Sequence, residues 1–145
     1  MLKLEKIIQV AKLQGELLRE HHIGHPEWYA EMLVCAALDG QLALTNTPKY
    51  DVSCLLYGKV QVKCRVDGTD ATQNRTNFGK YKVGDFEHAA IVIFESNYKI
   101  KGAVILPETN VLALVRRHGH VTWKDARSNS SARCIAAQLK AISGE

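Results

Sequence analysis

Apolar residues at the start of the chain recur every three or four positions, which is the spacing of one face of an α-helix. They are Leu4, Ile7, Ile8, Ala11 and Leu18, with Lys3, Glu5, Lys6, Lys12, Glu16 and Arg19 on the other faces. This pattern predicts an amphipathic surface helix over residues 3–21. Pro26 is favourable at the first position of a helix, and Gly40 is favourable just after the C-terminal end of one. A second helix is therefore predicted from Pro26 to Leu38.

The second predicted helix is apolar over most of its circumference. From Trp28 to Leu38 every residue is apolar or small except Glu31, so we expect most of this helix to be buried. A carboxylate in such a place is destabilised unless a cation, a set of hydrogen-bond donors or a metal ion compensates for its lost hydration. Glu27, one turn earlier, could share the same face, although an acid in the first turn also favours the helix dipole.

The middle of the chain predicts a hairpin followed by a polar loop. Two β-rich runs, Asp51–Tyr57 and Lys59–Val66, join around Gly58, and the second run alternates apolar and polar residues. Such alternation is typical of a strand with one buried and one polar face. Residues 67–85 have little hydrophobic pattern, which predicts a surface loop.

The second half of the chain predicts a strand pair and further helices. Residues 89–95 form a continuous apolar run typical of a central strand, and residues 99–106 would pair with it after a turn. The remaining predicted elements are a helix from Pro107 to about His118, a short strand at 120–124, and a last helix capped within 128–131. Together these elements predict an α/β protein with a central mixed sheet flanked by helices.

Length and composition favour one ordinary globular domain over residues 1–145. Of the 145 residues, 46% are hydrophobic and 23% are charged, which argues against a disordered or fibrous chain. No apolar run approaches the ~20 residues of a membrane-spanning helix, and the first residues lack a signal-peptide pattern. We therefore expect a cytoplasmic protein with no membrane partner. The net charge of +4 mildly favours a polyanionic partner.

Cysteine and histidine supply no recognised metal or nucleophile pattern. The four cysteines are Cys35, Cys54, Cys64 and Cys134; they form no C-x-x-C pair and are expected to be buried, reduced thiols. The histidines cluster at His21, His22 and His25 and again at His118 and His120, but neither cluster has a cysteine or acid at a zinc-ligand spacing. No Gly-rich phosphate loop is present, and no organic cofactor is expected.

Four polar side chains form a candidate site: Glu31, Asp51, Gln61 and Lys63. Gln61 and Lys63 are two apart on a strand, so they point the same way, and Asp51 can lie beside them across the hairpin. Mg²⁺, for which Mn²⁺ should substitute, takes oxygen ligands, which Asp51, the Gln61 side chain and the backbone carbonyl of Val62 could provide. Glu31 would add a second carboxylate, and Lys63 would orient an attacking water or stabilise charge on phosphoryl oxygens.

These residues resemble the PD-(D/E)xK phosphodiesterases, which have the restriction-endonuclease fold. The matching segments are Tyr29–Val34, Tyr50–Val52 and Val60–Arg65. The resemblance implies that Glu31, Asp51, Gln61 and Lys63 form one metal-dependent site that hydrolyses phosphodiester bonds of DNA. Gln61 stands where the family usually has an acid, which removes one negative charge from the metal site. The resemblance therefore also allows a catalytically weak or inactive module of this fold that binds nucleic acid or a protein assembly.

Basic and amide residues after the candidate strand are candidate DNA contacts. They are Arg65, Asn74, Arg75, Asn77, Lys80 and Lys82. Such side chains bind phosphates and base edges, although a solvated polar loop has the same composition. A simpler interpretation of the whole site also stays open, in which Glu31 pairs with Lys63 or an arginine and the polar strand face is solvated.

A homodimer is expected on functional grounds, because one site per chain would require two copies to cut both strands of a duplex. The apolar stripe of the last predicted helix, formed by Ile135, Leu139 and Ile142, is a candidate interface. Packing of that stripe on the protein's own core is the competing expectation.

Overall fold

The fold is described by a computed structural model covering residues 2–21, 26–44, 49–67, 75–78 and 82–145. The helices in these ranges are α1 (Leu2–His21), α2 (Pro26–Ala37), α3 (Glu108–His118), α4 (Trp123–Ser128) and α5 (Ala136–Ser143). The strands are β1 (Gln41–Leu42), β2 (Val52–Cys54), β3 (Gly58–Val66), β4 (Arg75–Thr76), β5 (His88–Phe94), β6 (Ile100–Pro107), β7 (Val121–Thr122) and β8 (Arg133–Cys134). No helix in the described ranges is long and apolar enough to cross a membrane.

Six strands form a mixed sheet in the order β1-β2-β3-β5-β6-β8. β3 and β5 run parallel, from Val60 opposite His88 to Val66 opposite Phe94, and every other neighbouring pair is antiparallel. Helices pack on both faces, so the predicted α/β class with a mixed sheet is confirmed. The chain crosses over between β3 and β5. The short strand β4 lies in this crossover and pairs with the later strand β7, which forms a separate two-stranded sheet.

Alternation along the strands divides the interior into two cores. On one face, Val60 and Val62 of β3 pack with α2 and α5. On the other, Ala89 and Ile91 of β5 pack with α3 and α4. β5 lies between both cores and is buried along almost its whole length, which explains why its sequence is apolar without alternation.

Several predicted boundaries were wrong, some because of local turn and capping geometry and others because of long-range pairing. The first hairpin strand is shorter than predicted, because residues 55–57 form the turn. The predicted loop 67–85 includes the short strand β4. The strand predicted at 120–124 ends at Thr122, whose side chain accepts a hydrogen bond from the Asp125 N–H at 3.1 Å and so caps α4. The last helix begins at Ala136 rather than within 128–131, because the preceding residues pair with β6.

The apolar stripe of Ile135, Leu139 and Ile142 packs on the protein's own core, which confirms that expectation for it. Ile135 and Leu139 are buried and Ile142 packs against the same cluster, so these side chains do not offer a dimer interface. The prediction about the cysteines requires correction. The cysteines are not all buried: Cys134 is exposed on the short strand β8, and the other three are half-buried.

Candidate active site

The candidate site lies where β2 and β3 separate. The two strands pair over three residues only, from Cys54 opposite Gly58 to Val52 opposite Val60. Beyond Val60, the edge of β3 that faces β2 has no strand partner within the described ranges. A cleft of about 280 Å³ opens at this edge. It is lined by Glu27, Glu31, Asp51, Gln61, Val62, Lys63, Cys64, Arg65, Arg75, Thr76 and Asn77.

Asp51 is fixed at the free edge of β3 by its backbone and its side chain. Its N–H donates to the Val60 carbonyl at 2.9 Å, which continues the strand ladder by one residue. Its Oδ2 accepts the N–H of Val62 at 2.8 Å. The N–H and C=O of one strand residue point to the same edge, so the Val62 carbonyl is also directed into the cleft beside this carboxylate.

Gln61 and Lys63 reach the cleft from one face of the sheet and Glu31 reaches it from the other. Gln61 is in register with Ala89, which faces the second core, whereas α2 packs on the first core. The predicted common orientation of Gln61 and Lys63 is confirmed, because they alternate with the buried residues Val60 and Val62. The cleft therefore surrounds the strand edge, with Asp51 between the two faces.

Glu31 is half-buried, while its neighbours Tyr29, Ala30 and Leu33 anchor α2 in the core. Burial, followed by the negative charges of Asp51 and Glu27, raises the pKa of Glu31 to about 7. The interaction with Asp51 raises the pKa of Glu31 and lowers that of Asp51, so of the two carboxyl groups Glu31 is the one on which a proton is favoured. Among the described residues Glu31 forms no ion pair with Lys63, so that one of the two structural pairings open to this acid is not formed.

Asp51 is subject to opposing influences. Burial raises its pKa above the ordinary value, while the Val62 N–H, the positive charge of Lys63 and the hydrogen bond from Glu31 lower it. Lys63, which lines the same cleft, thus favours the ionised form of Asp51. Its Nζ also lies 5.7 Å from the centre of the Phe78 ring, a cation–π distance.

The donor set of the cleft suits a hard divalent cation. The carboxyl groups of Glu31 and Asp51 line the same cleft, and Mg²⁺ could replace the proton that burial favours on Glu31. The Gln61 amide oxygen and the Val62 carbonyl are further oxygen donors on the same wall. Within the described ranges, no group of three or more His, Cys, Asp and Glu side chains is placed to hold a metal, so a cation here would need these neutral oxygens and water.

The predicted DNA contacts divide into three groups. Arg65, Arg75 and Asn77 line the cleft with the candidate catalytic residues, and Lys82 lines a neighbouring cleft. Asn74 and Lys80 lie outside the described residues. Of the histidines, His118 and His120 have ring centres 6.4 Å apart, and His118 Nε2 is 3.9 Å from Asp125 Oδ2; they belong to no larger ligand group in the part of the chain described.

Three further cleft residues, Glu27, Cys64 and Thr76, were not among the main candidates. Glu27 shares the face of Glu31, as the spacing of four residues allows, so the local sequence held this signal. Thr76 reaches the cleft because β4 pairs with β7. No local sequence pattern predicts this pairing. The sequence matches no protein-family model and no curated protein sequence.

Proposed function

We propose that this chain is a metal-dependent endonuclease that hydrolyses phosphodiester bonds of DNA on a restriction-endonuclease-like fold. One observation carries the proposal: Glu31, Asp51, Gln61 and Lys63 come from three separate segments and line a single cleft at a strand divergence. Acidic, amide and lysine side chains in one polar cleft are suited to phosphoryl transfer, where positioning and charge stabilisation dominate catalysis.

Asp51, Glu31, the Gln61 side-chain oxygen and the Val62 carbonyl would hold Mg²⁺ or Mn²⁺. Such an ion, when bound, stabilises negative charge on the phosphate and makes the attacking water more acidic. Asp51 is held in position by the Val62 N–H, so its carboxylate needs little reorganisation to act as a ligand. Glu31 would have to release its proton before it could serve as the second carboxylate.

Lys63 would act on the substrate directly. Its ammonium group is a point charge with three donors, which can bind a phosphoryl oxygen and hold the attacking water in line with the scissile bond. Arg65, Arg75 and Asn77 would bind the flanking DNA, because arginine matches the geometry of a phosphate with two parallel hydrogen bonds. In this scheme the nucleic acid enters over β4 and the free edge of β3.

A second candidate function is a nuclease-fold module that binds nucleic acid or a protein assembly without efficient cleavage. Gln61 favours it, because a neutral amide on the metal-facing wall attracts Mg²⁺ less strongly than an acid would. The two candidates share the fold and the cleft, and they differ in whether metal-dependent cleavage accompanies binding.

The test is incubation of the protein with supercoiled plasmid, linear duplex, single-stranded DNA and RNA in Mg²⁺, Mn²⁺ or EDTA. Asp51→Asn and Lys63→Ala are run in parallel, with Lys99→Ala as a control that removes an exposed lysine outside the candidate cleft. Metal-dependent DNA cleavage that is lost in the first two variants and kept in the control is expected. DNA binding without cleavage under every condition would favour the binding module instead.

A further inference from the structure

A second cleft, of about 310 Å³, lies beside the candidate active site and shares two wall residues with it, Gln61 and Lys63. Its remaining charged residues are Lys49, Lys82 and Asp85. The buried rings of Phe78 and Phe86 form its apolar floor. The two clefts are therefore neighbouring parts of one polar surface and meet at the candidate catalytic lysine.

The two clefts differ in charge. The candidate active site has three acids, Glu27, Glu31 and Asp51, beside three basic residues, so its formal charges cancel. The second cleft has three lysines and one aspartate, so it carries an excess of positive charge and is suited to an anion.

Asp85 holds the lysines of the second cleft in place. Its side chain is only 10% exposed, and its Oδ1 lies 3.4 Å from the Nζ of Lys49. Its Oδ2 accepts the backbone N–H of Lys82 at 2.8 Å. One nearly buried carboxylate thus connects two segments that are distant in sequence and places a lysine from each on the same cleft.

Lys49 has an unfavourable backbone conformation for a residue with a side chain. Its φ is 92°, a value usually restricted to glycine. Glycine adopts this conformation at a lower cost, and strained residues concentrate at functional sites. The Lys49 side chain is 46% exposed, so its ammonium group is accessible to a ligand while it contacts Asp85.

We propose that the second cleft binds the DNA backbone next to the scissile phosphate, with Lys49 and Lys82 as phosphate contacts and Asp85 as the positioning residue. The inference rests on the proposed function. A DNA strand carries one phosphate for about every 3.4 Å of helix axis, so a strand with one phosphate at Lys63 presents further phosphates to the adjoining surface. In this proposal, the lysines of the second cleft bind those phosphates.

The test measures binding separately from cleavage. The affinity of the full chain for a labelled DNA duplex is measured by fluorescence anisotropy in EDTA at several salt concentrations. The double variant Lys49→Ala/Lys82→Ala is compared with Lys99→Ala/Lys140→Ala, which removes the same charge from exposed lysines on a different cleft. A Lys49→Arg/Lys82→Arg variant keeps the charge and shows whether the loss of affinity is electrostatic.

We expect the alanine variant of the second cleft to bind about tenfold more weakly and to reduce the slope of log K against log salt by about 2, one for each lost phosphate contact. The control variant should keep the wild-type slope, and the arginine variant should recover most of the affinity. If the wild-type protein binds and cleaves DNA but the alanine variant has the same affinity and the same salt slope, this inference is overturned and the proposed function stays intact. Absence of both DNA binding and cleavage in the wild-type protein would overturn both.

Discussion

The carboxylate of Asp51 accepts a hydrogen bond from the backbone N–H of Val62 at 2.8 Å, where a continuing strand β2 would otherwise pair with β3. The acid therefore terminates the pairing of the two strands and at the same time stands in the cleft that their separation creates. Its position is set by backbone geometry, which makes substitutions there informative about both folding and chemistry.

Asp51→Asn should abolish metal-dependent cleavage, with a loss of at least about 10²-fold in rate, while the fold survives. The asparagine Oδ1 can still accept the Val62 N–H, but the negative charge that would bind a cation is gone. Plasmid cleavage measures the loss, and circular dichroism with thermal denaturation measures the fold. Cleavage at the wild-type rate in this variant would disprove the role assigned to Asp51.

Glu31→Gln should stabilise the protein at high pH. The folded-state pKa of Glu31, about 7, lies above its ordinary value of 4.5, so folding favours the protonated form. This contribution is fully present below about pH 4.5 and is lost as the pH rises through 7. The variant does not have the free-energy cost of ionising a buried carboxyl group, so it should be about 1–2 kcal/mol more stable than wild type at pH 8. This value is smaller than the pKa shift alone would give, because the carboxyl group is half-exposed to solvent.

Urea denaturation of both proteins at pH 5 and pH 8 measures this difference. The gain in free energy of unfolding for Glu31→Gln should be small at pH 5 and larger at pH 8. A gain that does not change between the two pH values would show that the pKa of Glu31 is not raised in the folded state.

Mg²⁺ or Mn²⁺ should raise the melting temperature of the protein, because an ion that binds only the folded state stabilises it. The rise should be larger at pH 8 than at pH 6, since the ion competes with the Glu31 proton. Asp51→Ala should remove most of the rise. A metal-induced rise that is identical in Asp51→Ala would place the metal elsewhere on the molecule.

Gln61→Glu should increase the affinity for Mg²⁺ by adding a fourth acid to the cleft, beside Glu27, Glu31 and Asp51. Calorimetry or the Mg²⁺ dependence of the melting temperature measures this change, and cleavage should then require less Mg²⁺. Gln61→Ala, which removes the side-chain oxygen altogether, is the matched control and should weaken binding. Equal affinities in all three proteins would mean that this residue is not a ligand.

Local sequence was sufficient for the residues whose placement depends on one element. Alternation in β3 predicted that Gln61 and Lys63 share a face, and the apolar surroundings of Glu31 marked it as unusual before any contact was known. The side-chain periodicity of strands and helices carries this information without reference to distant residues.

Long-range pairing decided what local sequence could not predict. Arg75 reaches the cleft because it is held opposite Thr122 of β7, a partner almost 50 residues away. The late start of α5 follows from the pairing of Cys134 with Val104 of β6, which overrides the capping signal of the serines before it. The basic character of the second cleft likewise depends on Asp85 bringing Lys49 and Lys82 together.

The open edge of β3 beyond Val60 also has a consequence for solubility. An exposed strand edge is a template on which a strand of another molecule can add, and proteins protect such edges with charged side chains. Here the Asp51 carboxylate already occupies the Val62 N–H, and Lys63 and Arg65 place positive charge along the same strand. Asp51→Ala exposes that N–H and should therefore promote self-association as well as loss of chemistry, so the asparagine variant is the better reporter of catalysis.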